Sequence, residues 1–360
     1  MDLRDVSIPE PQDGELLIRV HPTRDFAFPF VTGMDGAGVV NELVRTTTQE
    51  KKRKGIQMNS SSNLLVLGAT GQVGKLVAKT LKRRKANFSV GSRREANLEE
   101  LADQFGASRF IDLDDPRTFD EALKNVTGIF LITGYTVDML VQSKSLIDAA
   151  KRNGVSHIVH LGAFTTDQDS YATVFAWHQM IEAYLRSSGV AWTNSHPNMF
   201  MQNLLTYTSI RGGQYRPYTS KALGFTALED LAEAAAVILM EGPEKHSGKD
   251  YFFSADALTP QQVAESLTAA TGRTFTTAVL DAETFRNEAT QPGSMFEPAY
   301  SKGGFEFFRY VEDGRMAYVG TVRDDTKKIL GREPLLLREW AKVHANELLE
   351  IAGTCVGEDG

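Results

Sequence analysis

Three regularly spaced glycines place the strongest constraint on how this chain folds. They stand in the segment Gly68-Ala-Thr-Gly71-Gln-Val-Gly74, between the apolar run "NLLVLG" and the run "VGKLVAKTLKRR". The first run predicts a short strand that is buried on both faces. The second run predicts a helix, because its apolar residues recur at helical spacing. A tight glycine turn from a buried strand into a helix is typical of the first unit of an α/β fold.

Strand and helix patterns continue to alternate as far as about residue 205. Strand-like runs such as "NFSVGS", "GIFLIT", "HIVHLG" and "AWTNSH" are separated by helical runs such as "NLEELADQFG" and "MLVQSKSLIDAAKRNG". Asp115 followed by Pro116 suits a helix start, with Asp as the cap and Pro at the first helical position. The alternation predicts a Rossmann-like, doubly wound parallel sheet with helices on both faces. Ligands of such sheets bind at the carboxyl ends of the strands.

The rest of the chain divides by composition. We expect an N-terminal extension at 1–46, a polar linker at 47–62, a Rossmann domain at 63–205, a smaller C-terminal substrate lobe at 206–352 that is partly interleaved with the sheet, and a tail at 353–360. The linker contains "KKRK", which suits either a solvated charge run or a localisation signal.

Charge and cysteine content exclude several classes of function. The chain has 39 basic and 46 acidic residues and a net charge of −7, so nucleic acid and anionic membrane surfaces are poor partners. Its one cysteine, Cys355, excludes a disulfide framework within the chain and fits a reducing compartment. No signal peptide and no membrane-spanning run is apparent. We therefore expect a cytoplasmic protein with a small-molecule substrate, and a homodimer is an open possibility.

The glycines also predict a binding site for the diphosphate of a dinucleotide. Gly68 permits the tight turn, Gly71 lets the backbone approach a pyrophosphate, and Gly74 lets the helix pack close to the sheet. The helix N-terminus then presents N–H groups and partial positive charge to the phosphates. The other expected contacts in this loop are Thr70, Gln72 and Val73. A glycine-rich turn without a ligand is the alternative.

The end of the second predicted strand indicates the type of dinucleotide. NAD sites usually have an acidic residue there, whereas this chain has Ser92, Arg93 and Arg94. Guanidinium groups pair well with a 2′-phosphate. The segment therefore favours NADPH over NADH, unless the two arginines are only solvated loop charges.

Several strings in order show a family resemblance from about residue 63 to residue 350. They include "LLVLGATGQVG", "SRR", "GVSHIVHLGA", "HQMIEAYLRSSGVAWT", "HPNMFMQNLL" and "DDTKKILGREP". With these strings the chain resembles the NmrA-like branch of the atypical short-chain dehydrogenases. That branch includes NADPH-dependent quinone, azo-dye and triphenylmethane-dye reductases, and also redox-sensing regulators. The resemblance implies an NADPH-dependent oxidoreductase or, alternatively, a non-catalytic NADP(H)-sensing regulator that binds a partner protein.

The resemblance implies further cofactor contacts at the ends of the strands. They are Asp112 and Leu113 beside the adenine, Thr133 and Gly134 after the fourth strand, Leu161, Gly162 and Ala163 after the fifth, and Pro197 and Asn198 near the nicotinamide. For Asp112, the alternative is a role in forming a turn only.

The helical run "VFAWHQMIEAYL" lies where related enzymes carry a Tyr-x-x-x-Lys motif. With His178 at the Lys position, Val174 stands where the Tyr would be, so that phenol is missing. The resemblance implies that His178 contacts the cofactor or substrate, with Glu182 one turn on to orient it. His178 is also a candidate acid, and Tyr171 is a weaker candidate donor. A histidine with only a structural role is the alternative.

The missing phenol favours an acceptor that is already electron-poor, such as a quinone, an imine or a dye-like cation. Hydride transfer to such an acceptor depends mainly on positioning. Residues expected near an apolar, flat substrate are Tyr135, Phe164, Met199, Phe200, Met201 and Asn203. Most of these equally suit core packing. The late run "SMFEPAYSKGGFEFFRYVEDG" suits either a lid or the core of the second lobe.

Two further features complete the sequence predictions. His157 and His160 should face opposite sides of one strand, and His196 replaces the Arg of an "RPN"-like segment, so we predict no metal site. The runs "DVSIPEPQDGELLIRV" and "GMDGAGVV" near the N-terminus resemble a truncated medium-chain quinone reductase. That stretch lacks the cysteine needed for the usual zinc ligand of such enzymes.

Overall fold

The structure is a computed structural model, and it describes residues 63–134, 136–165, 172–206, 208–291 and 298–353. The predictions made for residues 1–62, for Tyr135, for Tyr171 and for the tail beyond residue 353 lie outside these described residues.

The described residues form short strands and longer helices in alternation. The strands are β1 (Leu64–Val66), β2 (Phe88–Ser92), β3 (Ser108–Phe110), β4 (Gly128–Leu131), β5 (His157–Leu161), β6 (Ala191–Pro197), β7 (Met199–Phe200), β8 (Ile210–Arg211), β9 (Gln214–Tyr215), β10 (Leu223–Thr226), β11 (Lys249–Phe253), β12 (Asp256–Leu258) and β13 (Thr276–Thr277). The helices are α1 (Gln72–Arg83), α2 (Leu98–Phe105), α3 (Phe119–Ala122), α4 (Met139–Arg152), α5 (Thr173–Ser187), α6 (Leu228–Glu241), α7 (Pro243–His246), α8 (Pro260–Thr271), α9 (Ala282–Ala289), α10 (Pro298–Glu312), α11 (Thr326–Leu330), α12 (Leu337–Val343) and α13 (Ala345–Gly353).

Seven strands form one parallel sheet in the order β11-β6-β5-β4-β1-β2-β3. The strand order reverses between β1 and β4, so the crevice for a ligand opens at their carboxyl ends. The side chains of β1 and β4 are buried on both faces, as the apolar runs indicate. The predicted α/β class with a doubly wound parallel sheet is confirmed.

Helix α1 packs on the sheet through one apolar stripe. Val73, Val77 and Leu81 are all buried at helical spacing. Alanine-rich α6 packs beside α1, and small side chains let two helices approach closely. The helices α6 and α11 and the edge strand β11 all come from beyond residue 205, so the later part of the chain helps to build the Rossmann unit.

A second hydrophobic core lies beyond the end of β6. Two small sheets, β12-β10-β7 and β13-β9-β8, pack with α8, α9, α10, α12 and α13 around large buried side chains. Phe285, Phe308 and Trp340 are among the largest side chains buried there. Because β7 follows β6 directly, this second lobe meets the sheet at its carboxyl edge. Within the described ranges, no helix is long and apolar enough to span a membrane.

Substitution of a buried valine on α1 should lower the stability of the protein. Val77 is 0% exposed, whereas Val343 at the end of α12 is 65% exposed. We expect Val77→Ala to reduce the free energy of unfolding by about 2 kcal/mol, because buried apolar groups are removed and a cavity remains. Val343→Ala should change it by less than about 0.5 kcal/mol. Urea denaturation measures both, and equal losses would contradict this account of the core.

Candidate functional site

The glycine loop after β1 has the geometry of an anion site. Gly68 has a φ of +65°, a conformation that L side chains rarely adopt. A Cβ on Gly74 would overlap the carbonyl oxygen of Gly68, so α1 can approach the loop only because Gly74 has no side chain. Gly71 caps α1 without a side-chain hydrogen bond, and the first turn of α1 has no acidic residue. These features fit the diphosphate of a dinucleotide.

The other predicted residues of this loop differ in what they can offer a ligand. Thr70 and Gln72 are partly exposed, whereas the side chain of Val73 is buried in the core. Any contact from Val73 to a phosphate would therefore be made by its backbone N–H.

The turn after β2 holds two arginines at the surface. The Oγ atom of Ser92 accepts a hydrogen bond of 3.1 Å from the backbone N–H of Arg94, which fixes the turn. The Arg93 side chain is 62% exposed, and its guanidinium lies 3.5 Å from the carboxylate of Asp114. Asp112 accepts a hydrogen bond from the N–H of Asp114, so the turn-forming role considered for Asp112 is present.

Because neighbouring strands are parallel, the predicted cofactor residues share one edge of the sheet. Thr133 and Gly134 follow β4 next to the glycine loop, Leu161 ends β5, and Pro197 ends β6. Asn198 has its side-chain amide engaged, since Nδ2 donates to Val319 at 2.9 Å and Oδ1 accepts from the N–H of Met199.

A cleft opens between this edge and the second lobe. The predicted residues that line it are Gly162, Ala163, Phe164, Pro197, Asn198, Met199, Phe200 and Asn203. Met201 does not reach it. Its side chain is fully buried in the second core, at the start of the 3-10 helix Met201–Leu205, which corrects the expectation that Met201 contacts substrate.

One wall of the cleft was not found by sequence reasoning. It consists of Val174 and Phe175 from α5 and of Tyr300, Gly303, Gly304 and Phe307 from α10. The α10 residues recur at helical spacing on one face, and this is the signal in the sequence that could have identified them. The late aromatic run was considered either as a lid or as core. Its part on α10 both lines the cleft and contributes to the second core, where Phe308 is buried.

His178 lies behind the wall of the cleft and does not line it. The residue is 5% exposed, and its ring centroid lies 5.4 Å from that of His160. Burial, and then the charge of His196, lower the pKa of His178 to about 3. The imidazole is therefore neutral near neutral pH, which corrects the expectation that it carries a proton there.

Both ring nitrogens of the buried His196 face hydrogen-bond acceptors. Its Nδ1 donates to the carbonyl of Ala163 at 2.9 Å, and its Nε2 donates to the carboxylate of Asp250 at 3.1 Å. Burial opposes the charge, but the hydrogen bond to Asp250 and the nearby charge of Glu182 outweigh it and raise the pKa of His196. The position that has Arg in the resembling segment thus holds an imidazole whose protonated form is favoured by its surroundings.

Glu182 supports this network from α5. Its carboxylate lies 3.6 Å from Nδ1 of His196 and 3.6 Å from the guanidinium of Arg186. A Cβ on Gly162 would lie 2.7 Å from Oε1 of Glu182, so the loop after β5 needs glycine there. Glu182, predicted to orient His178, therefore also faces His196 and the loop that lines the cleft.

Among the described residues, the side chains of Glu182, His196 and Asp250 come together in a way that could hold a metal ion. One atom from each of Glu182, His196 and Asp250 lies within 4.8 Å of the others. Asp250 also accepts hydrogen bonds from Asn194 at 2.8 Å and from Arg186 at 2.9 Å. These hydrogen bonds hold the group as an ion-pair network, and the absence of a metal site stays a prediction.

Comparison with known proteins relates this arrangement to a family of oxidoreductases and regulators. A sequence profile described as the NmrA-like family matches residues 60–313. An NAD(P)H azoreductase from Xenophilus azovorans is 30% identical over 285 residues, which cover 78% of this chain and 98% of that protein.

Two solved structures extend the comparison. The triphenylmethane reductase from Citrobacter sp., complexed with NADP(H), has a TM-score of 0.67 at 22% identity and covers 79% of this chain and 99% of that one. An NADPH-dependent quinone oxidoreductase from Escherichia coli, complexed with NADPH, has a TM-score of 0.64 at 25% identity and covers 77% of this chain and 98% of that one.

Substitution of Gly74 should abolish dinucleotide binding. The Cβ added in Gly74→Ala meets backbone rather than a flexible side chain, so the loop must shift away from α1. Isothermal titration calorimetry with NADPH should show at least about a hundredfold weaker binding, since several phosphate contacts depend on this loop. Gly353→Ala at the end of α13 is the control, because its backbone is not in the left-handed region and an added Cβ there would meet only the guanidinium of Arg273, at 3.9 Å. Unchanged NADPH affinity in Gly74→Ala would contradict the assignment.

The buried neutral imidazole of His178 predicts a loss of stability in acid. The folded-state pKa is about 3 and the ordinary value is 6.5, so only the unfolded chain takes up this proton as the pH falls below 6.5. The free energy of unfolding should therefore fall from pH 7 toward pH 4, and His178→Gln should show a smaller fall. Urea denaturation at several pH values measures this.

His344 provides a control with the opposite sign. Hydrogen bonds to Glu229 and Glu347 outweigh the effect of burial and raise the pKa of His344. Its stabilising contribution is present at low pH and is lost as the pH rises through the raised pKa, so His344→Gln should increase acid sensitivity. Equal pH slopes for the wild type and both variants would refute both assignments.

Proposed function

The chain belongs to the NmrA-like family, and we propose that it transfers a hydride from NADPH to a small conjugated or aromatic acceptor such as a quinone, an imine or a dye-like molecule. The observation that carries this proposal is the apolar cleft beside Pro197 and Asn198, the residues predicted to approach the nicotinamide. Phenylalanine side chains form much of its walls, and a flat conjugated molecule buries both faces against such walls.

The comparisons confirm two earlier predictions. The family is the one that the sequence resemblance indicated, and the chain is an NAD(P)H-dependent reductase, as its azoreductase relative is named. The alternative is a non-catalytic regulator, which the missing phenol at Val174 would also suit. The predicted homodimer and the boundaries of the two lobes remain proposals, which sedimentation and limited proteolysis would test.

The residues present fit a dinucleotide. The backbone around Gly68 and Gly71 would hold the diphosphate, and the loops after β5 and β6 would hold the nicotinamide. When bound, the reduced nicotinamide supplies a hydride, that is, two electrons and one hydrogen. The chain itself contributes binding and orientation, because its cleft residues exclude water from both faces of a flat acceptor.

The acceptor side of the cleft is shaped to hold a conjugated molecule. Phe164, Phe200 and Phe307 line it, and Asn203 adds a polar side chain. Val174 in place of a phenol leaves this part of the wall apolar, which suits an acceptor that needs positioning more than carbonyl polarisation. These features support the conjugated acceptor over a simple ketone.

The proposal is tested by mixing the purified protein with NADPH and a panel of quinones, imines and dye cations. Loss of reduced-nicotinamide absorbance with at least one of them is the expected result. If calorimetry shows nucleotide binding but no compound of the panel is reduced, the reductase proposal is wrong and the regulator is favoured.

NADPH is proposed over NADH because of the turn after β2. Arg93→Ala should lower the ratio of NADPH to NADH affinity by about tenfold or more, since a guanidinium–phosphate pair is lost. Arg338 on α12 is a matched control, because its side chain is 64% exposed and pairs with the neighbouring Glu339. Calorimetric titration of both nucleotides into both variants measures this ratio. An unchanged ratio of NADPH to NADH affinity in Arg93→Ala would contradict the proposal that Arg93 binds the 2′-phosphate.

A further inference from the structure

Residues 162–164 after β5, here called the β5 loop, form one part of the cleft wall. Gly162, Ala163 and Phe164 all line the cleft. The N–H of Gly162 donates to the carbonyl of Ser195 on β6 at 2.9 Å, which extends the pairing of β5 with β6 by one residue. Beyond this bond the loop leaves the sheet, and its other two residues meet side chains that lie behind the cleft.

A hydrogen bond from His196 holds the middle residue of the β5 loop. A carbonyl oxygen can only accept, so Nδ1 of His196 carries the hydrogen of its 2.9 Å bond to Ala163. Both residues are buried, with His196 only 2% exposed, so water has little access to replace this bond. A buried carbonyl that loses its donor is destabilised. The position of Ala163 therefore depends on that of the imidazole.

The same imidazole also reaches the next residue of the loop, through an aromatic neighbour. The ring of His196 stacks on that of Phe252, with centroids 4.6 Å apart and planes 17° apart. Phe252 in turn meets the ring of Phe164 edge to face, at 5.7 Å and 85°. The guanidinium of Arg323 lies 3.3 Å from the centre of the Phe252 ring and adds a further contact. The ring that supports Phe164 is thus itself supported by His196.

Two carboxylates fix the orientation of the imidazole. Asp250 accepts from Nε2 at 3.1 Å, and the carboxylate of Glu182 lies 3.6 Å from Nδ1. His196 does not line the cleft, so it acts on a bound molecule only through the residues that do. Resting on the reductase function proposed above, we propose that His196 is a positioning residue that fixes the β5 loop against a flat acceptor.

Two substitutions of His196 separate this role from a general structural one. The amide nitrogen of Asn is as many bonds from the backbone as Nδ1 of His, and that of Gln is as many as Nε2. His196→Asn therefore keeps a donor for Ala163, whereas His196→Gln keeps a donor for Asp250. Both variants remove the ring and one hydrogen bond, so a merely structural role would affect them alike.

The two variants should differ in turnover of naphthoquinone at saturating NADPH. We expect kcat/KM for the quinone to fall at least about tenfold in His196→Gln, because a displaced wall moves the acceptor away from the nicotinamide, and to stay within about threefold in His196→Asn. The affinity for NADPH, measured by calorimetry, should be unchanged in both. The glycine loop follows β1, and strands β4 and β5 lie between β1 and β6.

A second measurement does not depend on turnover. Quenching of tryptophan fluorescence by naphthoquinone, without nucleotide, should show about three- to tenfold weaker binding to His196→Gln, as expected for one lost hydrogen bond, and unchanged binding to His196→Asn. If urea denaturation shows that His196→Gln does not fold, His196→Phe takes its place. It keeps a ring beside Phe252 and removes both donors, so it should weaken quinone binding as His196→Gln does.

The outcomes separate this proposal from the reductase function. If the wild type reduces naphthoquinone but the two variants behave alike, or His196→Asn shows the greater loss, His196 does not position the β5 loop and the reductase function stands. If the wild type binds naphthoquinone without reducing any acceptor, the reductase function falls, and the difference in binding between the variants still decides the role of His196. If the wild type neither binds nor reduces naphthoquinone, the role of His196 falls.

Discussion

The close approach of α1 to the loop after β1 is the contact on which the site depends. Gly74 has no side chain, so the helix N-terminus lies directly over the turn at Gly68. That arrangement directs unpaired N–H groups at one point beyond the sheet. The position of a diphosphate there determines how far a dinucleotide extends along the sheet edge. The loops after β5 and β6, and the cleft beyond them, then lie where the reactive end of the nucleotide would be.

A buried charge holds the far side of the site. His196 contacts the loop at Ala163 and the edge strand β11 at Asp250, while Glu182 approaches it from α5. Breaking such a buried pair is costly because one charge would remain without its partner. The network therefore connects four parts of the chain, namely the loop after β5, α5, β6 and β11. It acts on the cleft through the loop at Ala163, since neither His196 nor Glu182 lines the cleft itself.

Local patterns in the sequence were enough to predict the sheet, the glycine loop and many of the cleft residues. Periodicity and glycine spacing act over a few residues, and parallel strands then bring their ends together at one edge. Contacts between distant segments could not be predicted in the same way. The burial of Met201 depends on the second core, the charge of His196 depends on Asp250, and the wall formed by Tyr300 depends on a helix that packs against α5. Each of these needs the folded chain.

The path of the chain between the lobes has a mechanical consequence. The backbone leaves the sheet after β6, comes back as α6 and β11, leaves again through α8 to α10, and comes back once more as α11 against α6. Several covalent crossings therefore join the sheet to the second lobe, so any movement of one lobe against the other has to bend all of these crossings together. A single proteolytic cut in one crossing would leave the walls joined by the others.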